Sequence, residues 1–160
     1  MIEVLSHSPD QTRAIASAIA VLSRPGDLIV LAGQMGAGKT AFAQGFARSL
    51  GVHEPVTSPT YTLVHTYETG RLTLHHVDLY RLDHTAEVVD LGLDELLDDD
   101  AIMLVEWGDV VDLGPHLRVE LRVESLDADD EREIELTSSD KRWAPRWERL
   151  EAALSDWVAS

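Results

Sequence analysis

Gly33-Gln34-Met35-Gly36-Ala37-Gly38-Lys39-Thr40 fills every fixed position of the pattern G-x-x-x-x-G-K-[ST], and its flanks decide what the pattern means. Before it, residues 28–32 (Leu-Ile-Val-Leu-Ala) form an unbroken apolar run suited to a buried parallel strand. After it, residues 41–50 read as a helix. Strand, glycine loop and helix in that order make a cradle for phosphate. Glycines let several backbone N–H groups turn towards the anion, and the helix N-terminus adds roughly half a positive charge. Lys39 is then placed to reach the β and γ phosphates and the Thr40 hydroxyl to take one position on Mg²⁺. The bland alternative is a glycine-rich turn with a solvated lysine. With every fixed position filled and both flanks correct, a nucleotide triphosphatase is the preferred reading.

At 160 residues and 44% hydrophobic composition the chain is of single-domain length, so one domain over residues 1–160 is expected, with 138–160 as a C-terminal helical tail. There is no cysteine, which excludes a disulfide framework, a thiolate metal site and a cysteine nucleophile. Met1-Ile2-Glu3-Val4-Leu5 carries neither a basic leader nor an apolar core, and no apolar run approaches the roughly 18 residues of a membrane span. The expectation is a soluble cytoplasmic protein. A formal charge of −16 argues against autonomous nucleic-acid binding, which rests on Lys and Arg neutralising backbone phosphates.

Ser8-Pro9-Asp10-Gln11 is a capping-box start with proline at the first helical position, and Ile15, Ala18, Ile19 and Leu22 recur on one face of the helix it opens. Residues 61–67 and 72–79 read as strands joined by a glycine-containing turn at 68–71. Residues 85–97 read as a helix and 101–105 as a second fully apolar strand. Residues 117–124 and 131–137 form another hairpin, and 145–158 a last helix. These elements describe an α/β fold of the P-loop NTPase kind: a mixed sheet with parallel core strands, antiparallel edge strands and flanking helices.

A phosphate loop needs an acidic residue at the end of a neighbouring buried strand, because Mg²⁺ takes oxygen ligands near the β and γ phosphates. Glu106 directly follows the apolar run 101–105 and is the candidate metal ligand beside Thr40. Asp78 lies near the end of the strand at 72–79 and is a candidate either for holding Mg²⁺ through water or for orienting the attacking water; a surface carboxylate paired with Arg81 is the competing reading. His75 and His76 are adjacent on a strand and so point to opposite faces, and both are read as structural. The hydroxyl-rich segment around Ser58 and Thr60 lies where a switch sensing the γ-phosphate occurs, although its composition equally suits an ordinary turn. Trp107 is read as a core or rim aromatic in preference to a lid.

Four blocks in this order, Gly36-Ala37-Gly38-Lys39-Thr40, Ser58-Pro59-Thr60-Tyr61-Thr62-Leu63-Val64, His76-Val77-Asp78-Leu79-Tyr80-Arg81-Leu82 and Leu104-Val105-Glu106-Trp107, resemble the bacterial TsaE family. The resemblance covers roughly residues 8–137. It implies an ATPase of tRNA threonylcarbamoyladenosine synthesis that does not itself modify tRNA. Its partners would be the TsaB- and TsaD-type subunits of the threonylcarbamoyl-transfer complex, whose turnover needs ATP binding and hydrolysis. Carried over by position, it implies phosphate contacts from Met35, Gly36, Ala37, Gly38, Lys39 and Thr40, and Mg²⁺ ligands at Thr40 and Glu106. It further implies Lys39 and the acidic residue Asp78 as catalytic, a switch at Ser58 and Thr60, a nucleotide contact near residues 10–12 and an arginine at Arg132. Gln34-Met35 departs from the family's usual pair, and the tail from Ser138 has no clear counterpart. The rival reading is a small-molecule P-loop kinase, for which residues 142–149 would have to supply the arginine lid.

Overall fold

The computed structural model describes residues 1–34, 36–57, 64–79, 100–107, 113–123 and 130–158. Its strands are β1 (Ile2–Ser6), β2 (Leu28–Ala32), β3 (Val64–Glu68), β4 (Thr73–Asp78), β5 (Ala101–Glu106), β6 (Leu117–Val123) and β7 (Arg132–Ser138). Helices α1 (Pro9–Leu22) and α2 (Lys39–Ser49) precede and follow β2. The tail forms a 3₁₀ segment (Lys141–Arg146), a short helix α3 (Trp147–Ala153) and a 3₁₀ turn (Ser155–Trp157).

All seven strands join one sheet in the order β1-β7-β6-β2-β5-β4-β3. The centre is parallel: β2 pairs with β5 and β6, and β4 with β5. Both flanks are antiparallel, β3 against β4 on one side and β7 against β6 and β1 on the other. Sequence reading provides two parallel strands, yet four run together, because a hairpin such as β3–β4 can also lend its second strand to a parallel neighbour. β1 is absent from that reading; its apolar Ile2 and Val4 alternate with Glu3 and Leu5 over only five residues. No helix among the described residues is long and apolar enough to cross a membrane.

Burial follows the pleat. On one face Ile29, Leu31, Ile102, Leu104, Val119 and Leu121 pack with Ile15 and Ile19 of α1, Phe42 and Phe46 of α2, and Trp143, Leu150 and Leu154 of the tail. On the other, Leu28, Val30, Val77, Leu79, Met103 and Val105 make a smaller cluster. Every helix in the described residues that contributes to these clusters lies on the first face; the helix expected at 85–97 lies outside the described residues. α1 starts as its sequence requires: Ser8 Oγ accepts from Gln11 N at 3.0 Å. The Gln11 side chain reaches back one residue further than a capping box, to His7 N at 2.8 Å.

α1 and α2 touch through backbone. A Cβ on Gly45 would lie 2.6 Å from Arg13 Cα and closer still to its carbonyl, so a bare α-carbon is what lets the helix of the glycine loop lie against α1.

The tail is anchored by charge. Arg146 donates through Nη1 to Asp27 Oδ2 at 2.7 Å and through Nη2 to Asp27 Oδ1 at 3.1 Å, and both side chains are buried. Nη1 also donates to Leu22 O, and the guanidinium lies 3.9 Å from the ring centre of Trp143. Thus residues just before β2 are clamped by a segment from the far end of the chain. The continuous helix expected at 145–158 is broken here, with Pro145 inside the 3₁₀ segment that aims Arg146 inward. Asp140 caps that segment by accepting from Arg142 N at 2.9 Å. Burial alone would raise its pKa, but the Arg142 side chain and backbone bonds, with the charges of Arg142 and Arg146, outweigh burial and hold it below the usual carboxylate value.

Two expectations follow. Gly45→Ala should lower the unfolding free energy by about 1–3 kcal/mol through overpacking against Arg13, and an unchanged denaturation midpoint would show that the helices can part at no cost. Asp140 has a depressed folded pKa, so its charge stabilises fully above about pH 4 and loses that effect as pH falls through the lower folded value. Asp140→Asn retains a capping side chain. The stability gap between the two proteins should therefore narrow as the pH falls below 4, and a gap constant from pH 7 to pH 3 contradicts the assignment.

Candidate functional site

The loop after β2 is shaped by close approaches. Gly33 has φ +144°, and a Cβ there would stand 2.6 Å from Leu121 O on β6. Gly36 and Gly38 also take positive φ, 80° and 103°. Gly38 is the N-cap of α2 and offers no side chain to the helix's first N–H groups, which an external acceptor can therefore take. Around Gly36 a Cβ would meet nothing within 4 Å, so the loop opens on that side.

Lys39, the first residue of α2, is only 6% exposed. Its ammonium donates to Gly33 O at 2.7 Å and lies 3.4 Å from the ring centre of Trp107. A buried ammonium needs such partners, since its desolvation is otherwise uncompensated. Trp107 reaches it through an unusual backbone, φ +62° in a bulky residue, while its N–H donates to Leu31 O at 3.1 Å. Trp107 is thus a direct neighbour of the loop lysine and more than a core aromatic. Thr40 is exposed on the first turn of α2.

Glu106 ends β5 and Asp78 ends β4, and the two stand opposite each other in the parallel ladder. The ladder continues beyond both, with Leu79 N donating to Glu106 O at 3.0 Å. Glu106 is buried, and its Oε2 lies 2.6 Å from Nε2 of His76, which is buried too. His76, read from sequence as structural, thus has a specific polar partner at the end of the neighbouring strand. Period-two alternation held the clue: it puts His76 on the same face as Asp78, and a strand-end carboxylate needs a donor. His75 faces the other way, with Nδ1 2.9 Å from Thr66 Oγ1.

Arg132 arrives from β7. Its Nε donates to Ala37 O at 3.1 Å and its Nη2 to Gly36 O at 3.2 Å. It grips loop carbonyls, an arrangement that braces the loop whatever else the side chain does. Loop, Lys39, Trp107 with Glu106 and Asp78, and Arg132 thus converge beyond the carboxyl ends of the parallel strands. The chain leaves β2 towards β4 on one side and returns from β5 to β6 on the other, and such a switch point is where open α/β sheets bind ligands. Met35, Ser58 and Thr60 lie outside the described residues.

Residues 6–134 match the family described as "Threonylcarbamoyl adenosine biosynthesis protein TsaE". The chain belongs to the TsaE family. Relatives described as tRNA threonylcarbamoyladenosine biosynthesis protein TsaE include one from Bacillus subtilis (strain 168), 40% identical over 144 residues and 89% of each chain. Another, from Treponema pallidum (strain Nichols), is 38% identical over 81% of this chain and 96% of its own. A third, from Streptomyces coelicolor, is 39% identical over 82% and 93%. Among solved structures, that described as the crystal structure of Bacillus subtilis YdiB superposes with a TM-score of 0.80 at 34% identity, covering 94% of each chain. Coverage that high extends into residues 138–160, so part of the tail has a structural counterpart after all.

If Arg132 braces the loop, Arg132→Ala should speed hydrogen exchange of the amides at 36–38 by about tenfold or more while the amides of β2 keep their protection. Unchanged exchange at the loop would remove Arg132 from that role.

Proposed function

We propose that this chain binds ATP and, with Mg²⁺, hydrolyses it to ADP and phosphate as a subunit required for threonylcarbamoyladenosine modification of tRNA. In this reading, a P-loop NTPase nucleotide cycle drives turnover of a transfer complex of TsaB- and TsaD-type subunits. The observation that carries the proposal is Lys39, a buried cation at the N-terminus of α2, where no side chain caps the helix, with its ammonium turned to the loop carbonyl of Gly33 and lying against the Trp107 ring.

Lys39 gives up Gly33 O to bind the β and γ phosphates, and backbone N–H groups of residues 35–40 surround the same oxygens. The donor set fits a hard divalent cation: the exposed hydroxyl of Thr40 and the carboxylate of Glu106, both oxygen ligands. A divalent cation bound by these two groups would supply neutralisation of the phosphate charge. Asp78, beside Glu106, orients the water whose oxygen bonds to the γ phosphorus as the bond to the β-phosphate oxygen breaks. Ser58 and Thr60 sense the γ-phosphate, and Arg132 holds the loop and contacts the nucleotide. Intrinsic turnover is slow until a partner completes the site. The absence of cysteine suits a cytoplasmic protein.

Two of the three arginines that the kinase alternative would use are otherwise engaged, Arg146 buried against Asp27 and Arg142 bonded to Asp140 and Gly26 O. Neither is placed as a lid.

Lys39→Ala should leave the circular dichroism spectrum intact and cut ATP turnover by about 10²–10³-fold. Equal turnover in the two proteins overturns the mechanism. Mixed with TsaB- and TsaD-type subunits, the wild-type chain should form a complex whose formation depends on ATP. No complex under any condition overturns the proposed partnership, and a complex that forms equally without nucleotide overturns its dependence on ATP.

A further inference from the structure

We propose that His76 is a positioning residue for the metal site: its imidazole fixes the Glu106 carboxylate in the orientation that binds the cation. The inference rests on the reading of Glu106 as a Mg²⁺ ligand and extends it to a residue outside the loop.

The geometry is that of a carboxylate held from behind. His76 and Glu106 are 1% and 3% exposed, and Nε2 and Oε2 are 2.6 Å apart. Both residues sit on strands, and their backbones are locked by the same parallel ladder, in which His76 stands opposite Leu104 and Asp78 opposite Glu106. The imidazole therefore reaches diagonally along the ladder to the carboxylate at the strand end. Rigid elements on both sides of the bond restrict where the carboxylate can point.

The other ring nitrogen says what the histidine is for. Nδ1 of His76 is buried and has no hydrogen-bond partner among the described residues. The ring's neighbours on the same face of β4 and β5 include Leu74 and Leu104. A buried polar atom without a partner is a cost, and an apolar side chain would avoid it. Among the described residues, the ring's polar bond goes to Glu106. A carboxylate that binds a cation only accepts hydrogen bonds, so the proposal places the hydrogen on Nε2 and leaves Nδ1 bare. With Oε2 tied to this donor, Oε1 is the oxygen assigned to the cation. Donors of this kind behind a ligating carboxylate set its orientation, and their loss typically costs about 10–100-fold in metal affinity.

Two variants of similar polarity separate position from mere presence of a donor. The amide of His76→Gln can stand near the Nε2 position, whereas that of His76→Asn stands near Nδ1, out of reach of Glu106. Binding of ATP would be titrated against Mg²⁺ for both variants, for wild type and for Glu106→Ala, with folding followed by circular dichroism. The Mg²⁺ concentration for half-maximal binding should rise about 10–100-fold in His76→Asn and stay within about threefold of wild type in His76→Gln. Affinity for ATP with Mg²⁺ chelated should be equal in all three. If Glu106→Ala shifts the Mg²⁺ dependence and His76→Asn does not, His76 is only a core residue and the inference fails alone. If Glu106→Ala shifts nothing, the metal assignment fails and takes the inference with it. Should His76→Asn not fold, nitrogen NMR of the wild-type imidazole decides: a hydrogen on Nε2 with a bare Nδ1 supports the arrangement, and the opposite tautomer overturns it.

Discussion

Strand β2 is hydrogen-bonded to a parallel neighbour on each side, and this double ladder is the constraint from which the rest of the molecule takes its geometry. Because β4, β5 and β2 run the same way in adjoining registers, their last residues arrive at one edge together. Leu31 stands beside Glu106, and Glu106 beside Asp78. Side chains alternate along each strand, so a slip of one residue would turn His76, Asp78 and Glu106 to the opposite face, away from α2. Gly33 then emerges so close to the β6 backbone that no other residue fits without displacement.

The buried charges divide into two groups with different purposes. Asp27 and Arg146 form a bidentate pair far from the loop, and removal of either would leave the other charge stranded, a loss of about 3–5 kcal/mol in comparable cases. That pair joins chain segments. Lys39 and Glu106 are also buried, but beside the glycine loop, with a loop carbonyl and an aromatic face against the ammonium and an imidazole against the carboxylate.

The central part of this architecture was legible because it is local. The loop motif, the apolar runs on either side of it and the glycine turns between alternating segments lie within short windows of sequence. Glu106 could be read as a strand-end acid for the same reason. What escaped depends on distant pairings. β1 is too short to announce itself and is a strand only because β7 accepts it. His76 has no partner at metal-ligand spacing in its own segment, and the carboxylate it bonds lies 30 positions later. Trp107 looks like any interior aromatic until the left-handed backbone that brings it under Lys39 is seen. The tail's arginines resemble a polar helix face, and nothing within the tail reveals that Asp27 waits for one of them.

The pairing of Ile2 with Leu136 bears on how the chain is made. A ribosome delivers the first strand long before the one that receives it, so during synthesis the N-terminal segment has an open edge and no permanent neighbour. Closure of the sheet waits until β7 has been made. Until then the nascent protein depends on its hairpins and on α1 to keep those apolar residues from pairing with other chains.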